Sequence, residues 1–239
     1  MTDLLESVIE AHGGLDRWNQ LDKVSARLAQ GGGLWALKGQ EGVLDDVVVT
    51  VSLHEERASH RPFGAADRHS SFTPDRVAIE TDDGTVVEAL DHPRDSFAGH
   101  TQETPWSTLQ LAYFAGYAMW TYLTQPFTFA MRGFETSELE PWVEAGREWR
   151  RLHVVWPSHL ATHSTEQTLY FNDDGQMVRH DYDVEIAGGT NAAHYASDYR
   201  EVEGIKLPTK HRIFPRTPDG QSLEEPLIVS IDLSEIAFK

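Results

Sequence analysis

The chain has 239 residues, a length that suits one large domain, and we expect residues 1–239 to form a single domain. Its 38 acidic and 20 basic side chains give a formal net charge of -18, so the surface would repel nucleic-acid phosphates and we expect no nucleic-acid partner. Cysteine is absent, which excludes disulfides, thiolate nucleophiles and zinc–sulfur sites.

A short helix is predicted at the amino terminus. Thr2 can cap its first turn, the apolar residues between Leu4 and Ile9 share one face, and Gly13-Gly14 ends it. A second helical turn is expected over residues 15–21. No basic segment followed by an apolar run precedes these elements, so we expect no secretory signal and a cytoplasmic location.

Short antiparallel strands are predicted for most of the remaining chain. The segments are β-branched or alternating, and turns such as Asp82-Asp83-Gly84 separate them. Gly31-Gly32-Gly33 lacks the lysine and following helix of a phosphate loop, so we interpret it as a β-bulge or sharp bend. Two basic groupings, 147–151 and 206–216, are interpreted as solvated strand faces. The predicted strands are 24–29, 35–38, 47–53, 57–63, 77–81, 85–90, 134–139, 148–156, 162–171, 176–186, 192–202, 206–214 and 227–233.

One uncharged stretch, residues 104–131, contains eight of the 24 aromatic residues. Two apolar stripes at helical spacing run through it, so we predict a helix over 106–123 that is apolar on nearly all sides. The first stripe is Leu109, Tyr113, Tyr117 and Trp120, and the second is Leu111, Phe114, Ala118 and Tyr122. Its mostly apolar part has only about 15 residues, whereas a membrane span needs roughly 20. We therefore expect a buried helix enclosed by the sheet, and no membrane span.

Two stretches resemble a known family. Residues 13–18, Gly-Gly-Leu-Asp-Arg-Trp, are similar to the junction between the first helix and first strand of bacterial proteins related to the outer-membrane lipoprotein carrier. Residues 199–208 resemble the hairpin near their carboxyl terminus. The resemblance implies an α+β, mostly β fold: a strongly curved antiparallel sheet of about eleven strands, a half-barrel, with helices packed on its concave face. It also implies an apolar cavity for acyl chains or similar ligands.

The twelve histidines are many for this length, and His163, His180 and His194 fall on successive predicted strands. Alternation in 178–186 points His180 inward. A two-residue turn at Asp174-Gly175 places Leu169 opposite His180, and it leaves His163 about 20 Å away along its strand. His194 comes near His180 only if the Gly188-Gly189 turn is longer than two residues, and even then we expect a diagonal offset of roughly 7 Å or more. We therefore predict no metal and no cofactor.

The inward histidines have two interpretations, one structural and one functional. In the first, the histidine is a core residue that donates to a backbone carbonyl. In the second, it is a general acid or base, or a hydrogen-bond partner for a ligand head group, because imidazole titrates near neutral pH. The candidate catalytic residues are His180, His163 and His194, and Tyr182 and Asp198 are possible partners of His180.

Aromatic residues supply the candidate ligand contacts, although core packing explains them as well. Buried tyrosine and tryptophan need partners for their polar atoms, and a core that uses them in place of leucine often lines a ligand site. The candidate ligand-binding residues are Trp35, Phe63, Trp106, Tyr113, Tyr117, Trp120 and Tyr182.

Three functions are compatible with these features. The leading hypothesis is binding of a small apolar or amphipathic molecule between the curved sheet and the aromatic-rich helix. An alternative is an enzyme that uses the same cavity for histidine acid–base catalysis, such as hydration, isomerisation or cyclisation. A second alternative is a structural or interaction module with a dry core. The sequence leaves the ligand and the oligomeric state open.

Overall fold

β-Strands are the main secondary structure of the chain. The computed structural model describes residues 2–239, and its four α-helices are α1 (Asp3–Ala11), α2 (Leu15–Trp18), α3 (Leu34–Lys38) and α4 (Thr108–Thr124). Short 3₁₀ turns cover Pro93–Phe97, Phe127–Ala130 and Glu185–Ala187. The strands are β1 (Lys23–Gly31), β2 (Val47–Ser52), β3 (Ala58–Arg61), β4 (Arg68–Thr73), β5 (Arg76–Thr81), β6 (Val86–Asp91), β7 (Glu135–Glu144), β8 (Arg147–Val155), β9 (Glu166–Phe171), β10 (Met177–Val184), β11 (Thr190–Val202), β12 (Ile205–Pro215) and β13 (Val229–Phe238).

All 13 strands belong to one antiparallel sheet with the order β6-β5-β4-β3-β2-β1-β13-β12-β11-β10-β9-β8-β7. Neighbours in the sheet are neighbours in sequence except at the centre, where β1 pairs with β13. The chain therefore builds two meanders, β1–β6 and β7–β13, and the β1–β13 pairing joins them. The sheet is open and curved, with β6 and β7 at its two edges, and the predicted α+β, mostly β half-barrel is confirmed.

The amino-terminal helix forms as its sequence predicts. The Thr2 side chain accepts a hydrogen bond from the Leu5 amide at 3.2 Å, and acidic residues occupy the first turn, where they favour the positive end of the helix dipole. Its apolar face is buried, and α1 lies against β8. One face of a short helix thus covers part of the second meander.

Helix α4 is enclosed on nearly all sides. A capping box starts it: the Gln110 amide donates to the Ser107 hydroxyl at 3.2 Å, and the Gln110 side chain accepts from the Ser107 amide at 2.9 Å. Every residue from Gln110 to Thr124 is buried. The helix contacts strands β2 to β6, and at Gly116 it approaches so closely that a Cβ would lie 2.3 Å from Cγ of Phe72. Helix α4 is therefore fixed on the concave side of the first meander.

Several sequence predictions need correction. Residues 35–38 form α3 rather than a strand, because the left-handed Gly39 caps a helical turn there. Strand β4 was not predicted, because its polar residues Arg68 to Ser71 hide the alternation, and the sheet has 13 strands rather than about eleven. Residues 162–165 lie outside the sheet, and β9 begins only at Glu166.

Gly31-Gly32-Gly33 forms the predicted bend. Strand β1 ends at Gly31, and Gly32 has a φ of +102°. A Cβ at Gly32 would lie 2.4 Å from the Ile228 carbonyl oxygen, so only glycine fits this close approach. Within residues 2–239, none of the helices has the length and apolarity needed to cross a membrane.

Candidate functional site

A narrow apolar cleft separates α4 from the inner face of strands β10 to β13. The helix contributes Phe114, Ala115, Ala118, Met119 and Tyr122. The sheet side presents mainly aliphatic residues, and no Asp, Glu, Lys or Arg side chain within residues 2–239 lines the cleft. The free volume is about 50 Å³, which holds roughly three or four water molecules at about 10–15 Å³ each. The cleft is therefore nearly closed in this structure.

A lid, which we define as α3 together with residues 101–106, covers one end of the cleft. Lys38 is wholly buried and its ammonium donates to the carbonyls of Thr101, Gln102 and Thr104 at 3.3, 2.6 and 3.1 Å. The ammonium also lies 4.6 Å from the centre of the Trp106 ring. One lysine thus ties the two parts of the lid together. The cleft reaches solvent beside this lid, where the lining residues Leu34, Gln102, Thr190 and Ile228 are half-buried or exposed.

The inner end of the cleft is a chain of hydrogen-bonded aromatic side chains. The hydroxyl of Tyr117 lies 3.3 Å from Nδ1 of His163, and the hydroxyl of Tyr122 lies 3.0 Å from Nε2 of the same ring. The hydroxyls of Tyr122 and Tyr182 are 2.7 Å apart. Tyr122, Tyr182 and His163 line the cleft, whereas Tyr117 lies behind them. We call these four residues the tyrosine–histidine chain.

Three further buried histidines lie next to this chain. His180 faces His194 across β10 and β11, and Nε2 of His180 bonds the Gln167 side-chain oxygen at 2.6 Å. Nε2 of His194 lies 2.8 Å from Nδ1 of His211 on β12. His211 was not among the predicted site residues, although it shares the inward face of its strand with Ile213. Within the described part of the chain, no group of three or more histidine or acidic side chains is placed to hold a metal ion.

The predicted spacing of the histidines needs correction. Leu169 pairs with His180 as expected, but the predicted two-residue turn does not form: Asn172 bonds Gln176 around three turn residues, and a β-bulge between Met177 and Arg179 restores the register. His163, however, is not 20 Å away, because residues 162–165 leave the strand and turn back; its ring lies 4.0 Å from that of Tyr182, which in turn lies 5.0 Å from that of His180. His194 is directly opposite His180 rather than diagonal, because a 3₁₀ turn lengthens the connection at Gly188-Gly189.

Burial keeps the histidines of this region uncharged. It lowers the pKa of His163 and of His194 well below 6.5, that of His180 to about 3 and that of His211 to about 4. Burial also raises the pKa of Tyr117 and of Tyr122 well above 10, and that of Tyr182 in the same direction. At neutral pH the inner end of the cleft therefore offers neutral imidazoles and phenols.

The predicted aromatic contacts divide into two groups. Trp35, Trp106 and Tyr182 line the cleft. The others lie outside its lining: the Trp120 indole donates to the Ser52 carbonyl at 2.8 Å, and Tyr117 bonds His163 from behind. Phe63 packs beside His60, and Tyr113 packs between Phe72 and Phe97. Asp198 is no partner of His180, because it is exposed and lies near Arg200 and Lys210.

Solved structures of other proteins share this fold. A DUF1329 family protein from Desulfovibrio piger has a TM-score of 0.55 at 11% identity, covering 98% of this chain and 91% of the other. A domain from Vibrio parahaemolyticus described as an outer membrane lipoprotein-sorting protein has a TM-score of 0.56 at 11% identity, with coverages of 98% and 92%. A LolA superfamily protein from Nitrosomonas europaea has a TM-score of 0.54 at 10% identity, with coverages of 99% and 92%. The chain has the lipoprotein-carrier-like fold.

At such low identity the likeness extends to the fold alone. No protein-family model matches the sequence, and no curated protein matches it either. The residues of the cleft must therefore be interpreted from their own chemistry and not from an aligned relative.

Within this lipoprotein-carrier-like fold, the cleft-facing stripe of α4 is the second of the two predicted stripes. Phe114, Ala118 and Tyr122 belong to it, whereas the candidate ligand contacts were taken mainly from the first. Ala118 and Ala115, one and two turns before Tyr122, leave space against the opposing sheet. Ala112 and Gly116 are equally small and do not line the cleft, so residue size alone does not identify this side.

The opposite, convex face of the sheet has a larger and polar groove of about 320 Å³. Beneath it Arg179 is wholly buried: its guanidinium donates to both carboxylate oxygens of Asp181 at 2.7 and 2.8 Å and pairs with Glu144. Arg151 and Arg216 contribute to its lining. The basic groupings 147–151 and 206–216 are thus not uniformly solvated, because the loop at Gly220 covers part of this face and accepts a hydrogen bond from Arg179 at 2.5 Å.

Proposed function

We propose that this protein binds a small apolar or amphipathic molecule in the cleft between α4 and strands β10 to β13. The supporting observation is the lining: within residues 2–239 it is mostly apolar and has no Asp, Glu, Lys or Arg side chain, and the phenol and imidazole groups of Tyr122, Tyr182 and His163 lie at its inner end. A core that only had to be filled would place large side chains at positions 115, 118 and 192, where this chain has alanine. The lipoprotein-carrier-like fold supports the same function, since its curved sheet and inner helices enclose this cleft.

Binding requires the lid to move, because about 50 Å³ is below the roughly 300 Å³ of a typical small-molecule site. Burying an eight-carbon chain releases about 6 kcal/mol at about 0.8 kcal/mol per CH₂. The entropy lost on association and the opening of the lid reduce this figure. We therefore propose micromolar or weaker affinity for short chains and tighter binding for longer ones.

A cleft-filling variant tests the placement. N-phenyl-1-naphthylamine is an apolar probe whose fluorescence rises in a water-free site, and we expect it to bind the native protein. Ala118→Phe places a ring in the cleft and should abolish the signal while thermal unfolding stays cooperative. The matched control is Ala66→Phe, which adds the same side chain at an exposed turn and should leave binding unchanged. Equal binding by both variants would refute this placement.

The same experiment addresses the dry-core alternative. If the native protein binds no probe, and native mass spectrometry of the purified protein shows no additional organic mass, the cleft is a packing feature. Acid–base catalysis has weaker support than binding, because a catalytic group works best with a pKa near the operating pH and burial drives the pKa of His163, His180 and His194 far below it.

A further inference from the structure

We propose that the tyrosine–histidine chain selects an uncharged ligand whose polar end is a carbonyl or hydroxyl oxygen, bound by the hydroxyl of Tyr122 or Tyr182. This inference rests on the proposed function, because it concerns the inner end of the same cleft. It extends that function by naming the class of head group: ketone, ester or alcohol, in contrast to carboxylate, phosphate or amine.

The cleft offers no counter-charge to a charged head group, since no Asp, Glu, Lys or Arg side chain within residues 2–239 lines it. Arg94 acts on His163 from behind the tyrosine–histidine chain, and its guanidinium already bonds the Thr162 carbonyl at 2.9 Å and the Glu185 carboxylate at 2.5 Å. A charged head group at the inner end would therefore lose its hydration without gaining an ion pair, which is costly in an apolar site.

The tyrosine–histidine chain has one more polar hydrogen than it has internal hydrogen bonds. It contains three phenol hydroxyls and one neutral imidazole, which together have four polar hydrogens. Three contacts join the four groups, from Tyr117 to His163, from His163 to Tyr122 and from Tyr122 to Tyr182. Each contact uses one hydrogen, so one donor has no acceptor within the chain.

The tautomer of His163 decides where this donor lies. If Nδ1 is protonated, it donates to Tyr117, and the hydrogen of the Tyr117 hydroxyl is left without an acceptor behind the cleft wall. If Nε2 is protonated, it donates to Tyr122, Tyr117 donates to Nδ1, and the spare hydrogen belongs to Tyr122 or Tyr182. Both of these residues line the cleft. The second tautomer leaves no buried donor unsatisfied once a ligand oxygen is bound, and unsatisfied buried donors cost about 1–3 kcal/mol.

The cleft therefore presents a phenol hydrogen to its occupant, and the phenol oxygens retain lone pairs that can accept. A ketone or ester oxygen uses the donor, and an alcohol can use both the donor and a lone pair. Trp106 adds a second donor in the cleft lining, since its indole nitrogen is buried and has no hydrogen-bond partner among residues 2–239. These groups match a molecule with an apolar body and neutral oxygen functions.

The test uses four eight-carbon compounds as competitors of N-phenyl-1-naphthylamine at pH 8: 1-octanol, 2-octanone, octanoate and octylammonium. We expect the alcohol and ketone to displace the probe at a concentration at least tenfold lower than the two ions. The carbonyl stretch of bound, ¹³C-labelled 2-octanone should lie below its value in hexane, which reports the hydrogen bond directly.

The matched variants separate hydrogen bonding from simple hydrophobicity. Removing the Tyr182 hydroxyl leaves the spare hydrogen on Tyr122, and removing both hydroxyls leaves it on Nε2 of His163, which also lines the cleft. The test variant is therefore the triple change Tyr122→Phe/Tyr182→Phe/His163→Phe. It should return the carbonyl stretch towards the hexane value and weaken 2-octanone about tenfold, while the affinity for the apolar probe stays within twofold. The control is Tyr195→Phe/Tyr199→Phe, since Tyr195 bonds Glu144 and Tyr199 bonds the Met177 carbonyl outside the cleft.

The outcomes distinguish the two proposals. If the probe binds and octanoate or octylammonium competes as well as octanol, or if the triple variant keeps the shifted carbonyl stretch, the head-group inference is wrong and the cleft still binds apolar molecules. If the native protein binds no probe at all, the proposed function fails and the head-group inference fails with it.

Discussion

His163 stacks face to face on Tyr182, with ring centroids 4.0 Å apart and ring planes 6° from parallel. The two residues belong to different segments: His163 precedes β9, and Tyr182 lies near the end of β10. Two hydrogen bonds hold the first segment in place, from the Glu185 amide to the His163 carbonyl at 3.0 Å and from the Asp183 amide to the Ser164 hydroxyl at 3.1 Å. This contact closes the inner end of the cleft.

His163→Ala should destabilise the protein by about 3 kcal/mol, because the change opens a cavity beside Tyr182 and leaves the hydroxyls of Tyr117 and Tyr122 with fewer partners. Urea unfolding followed by tryptophan fluorescence measures the loss. His153→Ala, at a partly exposed position on β8, is the control and should cost less than about 1 kcal/mol. A similar loss in both variants would contradict the role of the stack.

Stability should decrease as the pH falls below about 6.5. Burial lowers the pKa of His12, His60 and His211 to about 4 and that of His180 to about 3, so the unfolded chain binds protons at these sites before the folded protein does. The free energy that these neutral histidines contribute to stability is fully present above the unfolded-state pKa of about 6.5. It is lost progressively as the pH falls from there to the pKa values of the folded protein. Each site changes the free energy of unfolding by up to about 1.4 kcal/mol per pH unit.

Urea titrations at pH 7 and pH 5 check this dependence. His60→Gln removes one such site and should reduce the difference between the two pH values by about 2 kcal/mol. His159→Gln, at an exposed position, should leave the difference unchanged. A native free energy of unfolding that is equal at pH 7 and pH 5 would show that the histidines do not titrate as their burial implies.

Lys38→Met should loosen the lid without changing the cleft lining. The variant keeps the length of the side chain but removes the donor to three carbonyls, so we expect residues 101–106 to exchange amide hydrogens faster and the apolar probe to associate several times faster. Stopped-flow fluorescence and hydrogen exchange measure both effects. Lys210→Met, at an exposed position, is the control. Unchanged exchange and association rates would mean that Lys38 does not control access.

Arg179→Leu should destabilise the protein by about 3–5 kcal/mol, because it leaves the buried Asp181 carboxylate without the guanidinium that pairs with it. Thermal and urea unfolding measure the change, and Arg200→Leu at an exposed position should stay within about 0.5 kcal/mol. The double change Arg179→Leu/Asp181→Leu should recover part of the loss, since it removes both members of the pair. No recovery would assign the loss to packing alone.

Local features of the sequence determined much of the fold. Thr2 and Gly13-Gly14 bound the first helix because capping and left-handed termination depend on neighbouring residues only. Alternation in 178–186 placed His180 inward, whereas its pairing with Leu169 depends on a β-bulge between Met177 and Arg179 that the predicted two-residue turn did not include. The segment 35–38 was predicted wrongly because a short apolar run fits a strand and a buried helical turn equally well.

The buried helix shows where local information ends. The sequence indicated that α4 is enclosed, since both of its stripes are apolar. It did not indicate which stripe faces the cleft, because that depends on the meander against which each side packs. Trp120 bonds the Ser52 carbonyl in the first meander, and Met119 turns towards the cleft; the two are adjacent in sequence and equally apolar.

What the sequence by itself determined is therefore the architecture: an antiparallel sheet with a buried aromatic helix, and a histidine facing inward from β10. Only the tertiary structure decided the composition of the site. His163, Tyr122 and Tyr182 meet because residues 162–165 leave the sheet and bond the end of β10, and because one side of α4 faces the second meander. Such contacts join residues from about 20 to 60 positions apart, and no periodicity within one segment encodes them.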